Sequence, residues 1–115
     1  MKKLLFIFVL FSSFIDANEK HINQSWCSAN DGVSEYRTKY GTYVDCLTGE
    51  YAFEVEFDYN WKESIGQSLH YAEATGKQAG ILLIKRKKSR VNYLDQLNAV
   101  INKYSLPIKV FVTNE

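Results

Sequence analysis

Residues 79–84 read Ala-Gly-Ile-Leu-Leu-Ile, six positions in a row without a polar side chain. A strand with one wet face alternates apolar and polar residues. A short unbroken apolar run between turn signals instead marks a strand covered on both faces. Helices packed on a sheet provide that cover, and the flanking sequence supplies them. Upstream, Ile65, Leu69 and Ala72 recur at i, i+4 and i+7. Asn60 stands before them as the expected N-cap, with Glu63 three positions on as its capping-box partner, and Gly76 is a C-terminal stop. Downstream, Leu94, Leu97, Ile101 and Tyr104 share one helix face, which Ser105-Leu106-Pro107 ends.

The rest of the chain reads as strands and one more helix. Val33–Lys39, Thr42–Leu47 and Glu50–Phe57 are rich in β-branched and aromatic residues and are separated by Tyr40-Gly41 and Thr48-Gly49. The third alternates cleanly: Tyr51, Phe53, Val55 and Phe57 point one way, Ala52, Glu54 and Glu56 the other. Glu19 to Asn30 forms a weak first helix with Ile22, Trp26 and Cys27 as its apolar side, and Asn30-Asp31-Gly32 ends it. Ile108 to Val112 is a last strand. The order is α-β-β-β-α-β-α-β. A three-strand meander followed by two helix crossovers predicts a single α/β domain, a mixed central sheet flanked by helices, with 79–84 at its centre.

The N-terminus has the form of a secretory signal peptide: Lys2 and Lys3, an apolar stretch from Leu4 to Phe14, then Ile15-Asp16-Ala17 with cleavage after Ala17. The stretch falls short of the ~20 residues a bilayer span needs. The expected product is residues 18–115, exported to a periplasm or beyond the cell, with no stable membrane span after cleavage. Losing Lys2, Lys3 and Asp16 takes 14 basic and 13 acidic residues to 12 of each. Affinity for a polyanion then needs a local patch rather than global charge. Two readings of Cys27 and Cys46 stay open, a disulfide in an oxidising compartment or two buried thiols. Neither His21 nor His70 is spaced to complete a zinc site with them.

The chemistry is concentrated in acids. Glu54 and Glu56 share one face of the third strand, ~7 Å apart. Asp45 comes from the second strand, and Glu35 from the first is a fourth carboxylate. Acids gathered on adjacent strands repel unless one is protonated or a divalent cation sits among them. An oxygen-rich cluster suits Mg²⁺ or Mn²⁺. The plainer alternative is an acidic outer sheet face whose carboxylates are solvated or paired with Lys39. Gln67 and Tyr71, four apart on the helix, emerge from one face. Lys62 lies in the first helical turn, where the helix dipole disfavours a cation and a nearby acid cluster offsets that. Lys85, Arg86, Lys87, Lys88 and Arg90 form a basic turn suited either to phosphates or simply to solvent. Tyr36, Tyr40 and Tyr59 are rings available to stack on unpaired bases.

Three segments carry a resemblance: Tyr43-Val44-Asp45-Cys46-Leu47, Ala52-Phe53-Glu54-Val55-Glu56 and Gln67-Ser68-Leu69-His70-Tyr71. With the element order they resemble the PD-(D/E)XK, restriction-endonuclease-like, nuclease superfamily and its RecB-like branch. The segment from Phe53 to Ile84 also resembles small exported bacterial proteins of unassigned function. The first resemblance implies a metal-dependent nuclease acting on DNA or RNA. Asp45 and Glu54 would be metal ligands, and Gln67 and Tyr71 would contact nucleic acid or orient the site. Lys85, Arg86, Lys87 and Lys88 would add phosphate contacts. The family's lysine position holds Glu56 here. That implies either a third metal ligand with Lys62 supplying the ammonium, or an inactive nuclease-fold module that binds nucleic acid or a protein partner.

Overall fold

A computed structural model describes residues 18–115. The expected signal peptide, residues 1–17, lies outside the described residues. Helix α1 covers 18–29. Strands β1 (Val33–Arg37), β2 (Tyr43–Leu47) and β3 (Tyr51–Phe57) follow as the expected meander. A 3₁₀ turn, Asp58–Asn60, leads into α2 (Trp61–Thr75), then β4 (Gln78–Lys85), α3 (Tyr93–Tyr104) and β5 (Ile108–Asn114). The α-β-β-β-α-β-α-β order is therefore the one expected from sequence.

The five strands lie side by side in chain order. β1–β2 and β2–β3 pair antiparallel, β3–β4 and β4–β5 parallel, so the sheet is mixed. β3, not β4, occupies the middle. The apolar run of β4 is nevertheless buried throughout residues 79–84, because neighbours flank it on both sides and helices cover both faces. Ile81 and Leu83 face α2 and α3, packing with Trp61, Leu97 and Ile101. Leu82 and Ile84 face α1, packing with Cys27, Phe53, Val55 and Phe57. Consecutive crossovers that step one way across a sheet place their helices on one face, which leaves the other face to α1.

Three local expectations are corrected. Asn60 does not cap α2 with its side chain; its amide donates to Glu56 at 3.4 Å instead. The inward face of α2 is Trp61, Ser64, Ser68 and Tyr71, while Ile65, Leu69 and Ala72 lie half-buried to one side. The helix therefore sets small and polar residues against the acid-bearing side of β3, where a row of leucines would crowd the carboxylates. Tyr104 is 65% exposed rather than on the apolar face of α3. That helix is capped by Asn92, whose Oδ1 accepts from the Asp95 N–H at 3.2 Å.

The two cysteines form a disulfide, Cys27–Cys46, which fastens α1 to β2 across 19 residues of chain. A side chain at Gly32 would put Cβ within 2.6 Å of both sulfurs, so the turn after α1 needs glycine to pass over the bridge. Closing a loop of this size contributes ~3 kcal/mol. The double variant Cys27→Ala/Cys46→Ala is expected to lose about that much in urea-unfolding free energy, and reductant is expected to weaken the wild type while leaving the variant unchanged.

Candidate functional site

The site begins with an interruption in the sheet. β1 pairs with β2 through Ser34↔Cys46 and Tyr36↔Val44, passing over Glu35, whose φ of 56° is left-handed. β2 pairs with β3 only at Cys46↔Phe53 and Leu47↔Ala52. Beyond Cys46 the two strands part. Val44 and Cys46, two residues apart, end on opposite sides of the sheet: Val44 packs with Ala52 and Tyr71, and Cys46 bonds Cys27. A regular strand would put them on one face. Non-glycine residues at positive φ cost energy and cluster where a site demands the geometry.

Asp45 fills the gap. Its Oδ2 accepts the Val55 N–H at 2.8 Å, a bond that a backbone carbonyl would take in an unbroken ladder. Its own carbonyl accepts from Asn23 Nδ2 of α1, also at 2.8 Å. Glu54 is only 3% exposed and is hydrogen-bonded to Asp45. Burial drives the Glu54 carboxyl well above its usual range, and the negative charges of Asp45 and Glu56 push the same way. Burial also lifts Asp45, against the Val55 N–H that favours its charge. Like charges this close do not both ionise, so the pair keeps a proton at pH values where an isolated carboxyl would lose it.

Helix α2 closes over the pair. With its amide nitrogen facing the carboxylate, Gln67 donates to Glu54 Oε2 at 2.9 Å and Oε1 at 3.2 Å; the opposite orientation would set oxygen against oxygen. Tyr71, one turn on, is buried. Burial, followed by the charges of Glu54 and Asp45, holds its hydroxyl firmly protonated. Of the expected site residues, Asp45, Glu54, Gln67 and Tyr71 are therefore brought together, and Gln67 is exposed at the mouth.

Glu56 shares the face but not the contact. Its Oε1 accepts from the Phe57 N–H at 3.0 Å and from Asn60, turned toward the 3₁₀ turn. Burial, together with the charges of Glu63 and Asp45, pushes it up to about 6. Among the described residues no three His, Cys, Asp or Glu side chains are grouped to hold a metal ion, so Asp45, Glu54 and Glu56 do not form a closed three-ligand cage. Lys62 is exposed, with Nζ 5.8 Å from the centre of the Trp61 ring; the charged helix residue that bears on Glu56 is Glu63.

On the α1 side, Glu19, Lys20, Asn23, Glu35, Asp45 and Val55 line a pocket of about 270 Å³. Asn23 is 2% exposed, and its Oδ1 has no partner among the described residues. A buried acceptor of this kind needs a polar partner such as a water molecule to offset its desolvation. Sequence reading missed Asn23. Its spacing of four from Glu19 on one helix was the available signal.

The basic turn divides. Arg86 Nε donates to buried Asp58 at 3.1 Å, and its guanidinium lies 4.3 Å over Tyr59. Lys85, Lys87, Lys88 and Arg90 are exposed. By register with β3 the turn follows the strand end level with Asp58, at the C-terminal edge of the parallel strands.

Comparisons with known proteins give one relative and no family assignment. No family model and no solved structure matches the chain. The chain is similar to a KilA-N domain-containing protein of Acanthamoeba polyphaga mimivirus, 31% identical over 93 residues, which is 81% of this chain and 25% of that protein. The chain thus spans about a quarter of the length of the relative it matches.

Raised carboxyl groups set the sign of the pH dependence. A folded pKa above the unfolded one binds extra protons in the native state, so stability falls as pH rises from about 4 through 6 and beyond. In metal-free buffer the melting temperature is expected to drop between pH 5 and pH 8. Glu54→Gln, a neutral isostere, is expected to raise it at pH 8 by roughly 4–8 °C and flatten the profile. A wild-type profile that rises with pH, or a variant profile parallel to it, would show that the pair keeps no such proton.

Proposed function

We propose that this chain is an exported nucleic-acid-directed domain of the PD-(D/E)XK kind, in which Asp45 and Glu54 hold Mg²⁺ or Mn²⁺ for phosphodiester hydrolysis. One observation carries the reading: a buried carboxylate, Glu54, and a half-buried one, Asp45, from neighbouring strands are pressed together with no cationic side chain in hydrogen-bond contact among the described residues. Such a pair costs stability, and a bound dication would relieve it. Mg²⁺ is commonly held by one or two carboxylates, with waters and substrate phosphate completing its shell, so the absence of a three-acid cage is no bar. The unpartnered Asn23 Oδ1 beside Asp45 fits the same occupant.

A bound dication supplies Lewis acidity toward the phosphoryl group and lowers the pKa of its water. The residues themselves have simpler tasks. Asp45 is fixed by the Val55 N–H at its carboxylate and by Asn23 at its main-chain carbonyl, so its side chain is held in place before a ligand arrives. Gln67 orients Glu54 and, being exposed, reaches a ligand at the mouth. Tyr71 remains a proton donor at neutral pH. The disulfide supports an extracytoplasmic setting, where such bonds persist. Similarity to a protein named for a KilA-N domain is in keeping with nucleic acid as the substrate class.

A second reading, a binding module without catalysis, is favoured by Glu56. It stands where the nuclease pattern has lysine and is tied to Phe57 and Asn60, while the Lys62 ammonium lies over Trp61. Thermal melts test the dication site, and plasmid cutting separates the two readings. Mn²⁺ or Mg²⁺ at a hundredfold over its Kd is expected to stabilise the wild type by about 2.7 kcal/mol and leave Asp45→Asn/Glu54→Gln unchanged. Cutting of a plasmid by the wild type, lost in Asp45→Ala and Glu54→Ala, supports the enzyme. Metal stabilisation without cutting supports the binding module. Indifference to both metals refutes the dication site.

A further inference from the structure

We propose that the β1–β2 hairpin is a platform for an unpaired nucleic-acid strand, with Tyr36 and Tyr40 stacking on bases and Arg37 and Lys39 meeting phosphates. The proposal deepens the nucleic-acid reading above by naming single-stranded polynucleotide as the substrate class. The hairpin from residue 36 to 43 reads Tyr-Arg-Thr-Lys-Tyr-Gly-Thr-Tyr: three tyrosines, two cations and no acid. In a domain formally neutral after signal removal, this is a local positive segment. Its rings are not spent on a core, with Tyr36 43% and Tyr40 55% exposed.

The hairpin is fixed against the helix that closes the acid site. Thr42 Oγ1 lies 2.8 Å from His70 Nε2, and the Tyr40 hydroxyl donates to Glu73 at 3.2 Å. Thr38 and Thr42 hydroxyls bond across the hairpin neck at 2.7 Å, and Gly41 takes the left-handed φ of 80° that the tip requires. Tyr40 packs on His70 at 5.6 Å, and Lys39 Nζ sits 5.2 Å from the Tyr40 ring. A preorganised ring loses little freedom on stacking. Tyr36 pairs with Val44, and Val44 packs on Tyr71, which lies against Glu54. The exposed ring is thus one strand pair out from the acids, on the same side of the sheet. Tyr59, the other ring singled out by sequence, is less exposed, at 38%, is stacked by Phe57 and is covered by an Arg86 that Asp58 holds in place, so it is not part of the platform.

Rings stack on unpaired bases whatever their sequence, whereas paired bases in a duplex present no free face. The test is fluorescence anisotropy of the purified protein with labelled oligo(dT), oligo(U) and a DNA duplex, in EDTA so that no dication contributes. The single strands are expected to bind at least tenfold more tightly than duplex. Tyr36→Ala/Tyr40→Ala is expected to weaken single-strand binding by about tenfold per ring and leave the duplex unaffected, while Tyr36→Phe/Tyr40→Phe keeps most of it. Arg37→Gln/Lys39→Gln is expected to reduce the salt slope by about 1.4, which also covers the case of a misfolded alanine variant. Oligo(dT) and oligo(U) binding alike would place recognition on base faces; a preference for one would add sugar contacts. Equal binding of duplex, an alanine pair that behaves as wild type, or no binding of any oligonucleotide would each overturn the platform. Because EDTA removes the dication, a failed platform beside intact metal stabilisation overturns this proposal alone, and the converse overturns the metal site alone.

Discussion

A backbone N–H in the interior of a sheet must find an acceptor, and at Val55 the acceptor is the side chain of Asp45. Most of the unusual geometry of the domain follows from that bond. For a carboxylate to occupy the position of a carbonyl, β2 must leave the β3 ladder after Cys46, and β1 must bend with it, which it does through left-handed Glu35. The gap so formed lets Asp45 meet Glu54 from the next strand. It also throws Val44 onto the α2 side while Cys46 stays on the α1 side.

An arrangement that holds half-buried Asp45 against buried Glu54 opposes folding, and the remainder of the molecule supplies the stability that offsets it. The parallel half is a dense apolar block in which Ile81, Leu82, Leu83 and Ile84 are all essentially inaccessible. Phe53 lies across Gly80, where an added Cβ would sit 2.6 Å from the ring, so no space is left on that side. At the weaker antiparallel half, the disulfide anchors β2 to α1 one residue from Asp45. The covalent bond therefore sits beside the least regular part of the sheet, where hydrogen bonds alone hold the strands least well.

Helix α2 connects these parts to a surface. Its inward residues are small or polar where they meet the acids, its Gln67 and Tyr71 satisfy Glu54, and its outer His70 and Glu73 hold the hairpin. Trp61 ties the start of the helix to α3 through Gln96 at 3.1 Å. One rigid element thereby positions both the carboxylate pair and the exposed tyrosines, and it links the proposed chemistry to the proposed strand contact.

Periodicity and turn residues determined the element order, because side-chain direction along a regular strand or helix is a local property. The unbroken run at 79–84, the alternation of 51–57 and the glycine stops at 41 and 76 were legible in that way. So was the grouping of Asp45 and Glu54 with Gln67 and Tyr71, through the resemblance to a known pattern. What local pattern does not contain is where a strand breaks. Alternation alone assigns Val44 and Cys46 to one face; only the competition of Asp45 for the Val55 N–H separates them. Asn60 is a good N-cap by type, yet Glu56 takes its amide. Arg86 belongs to a basic run, yet buried Asp58 claims it. The joining of Cys27 to Cys46, the role of Asn23 and the proton kept by the two acids were likewise decided by tertiary structure, since each depends on distances between segments far apart in the chain and on the loss of water around them.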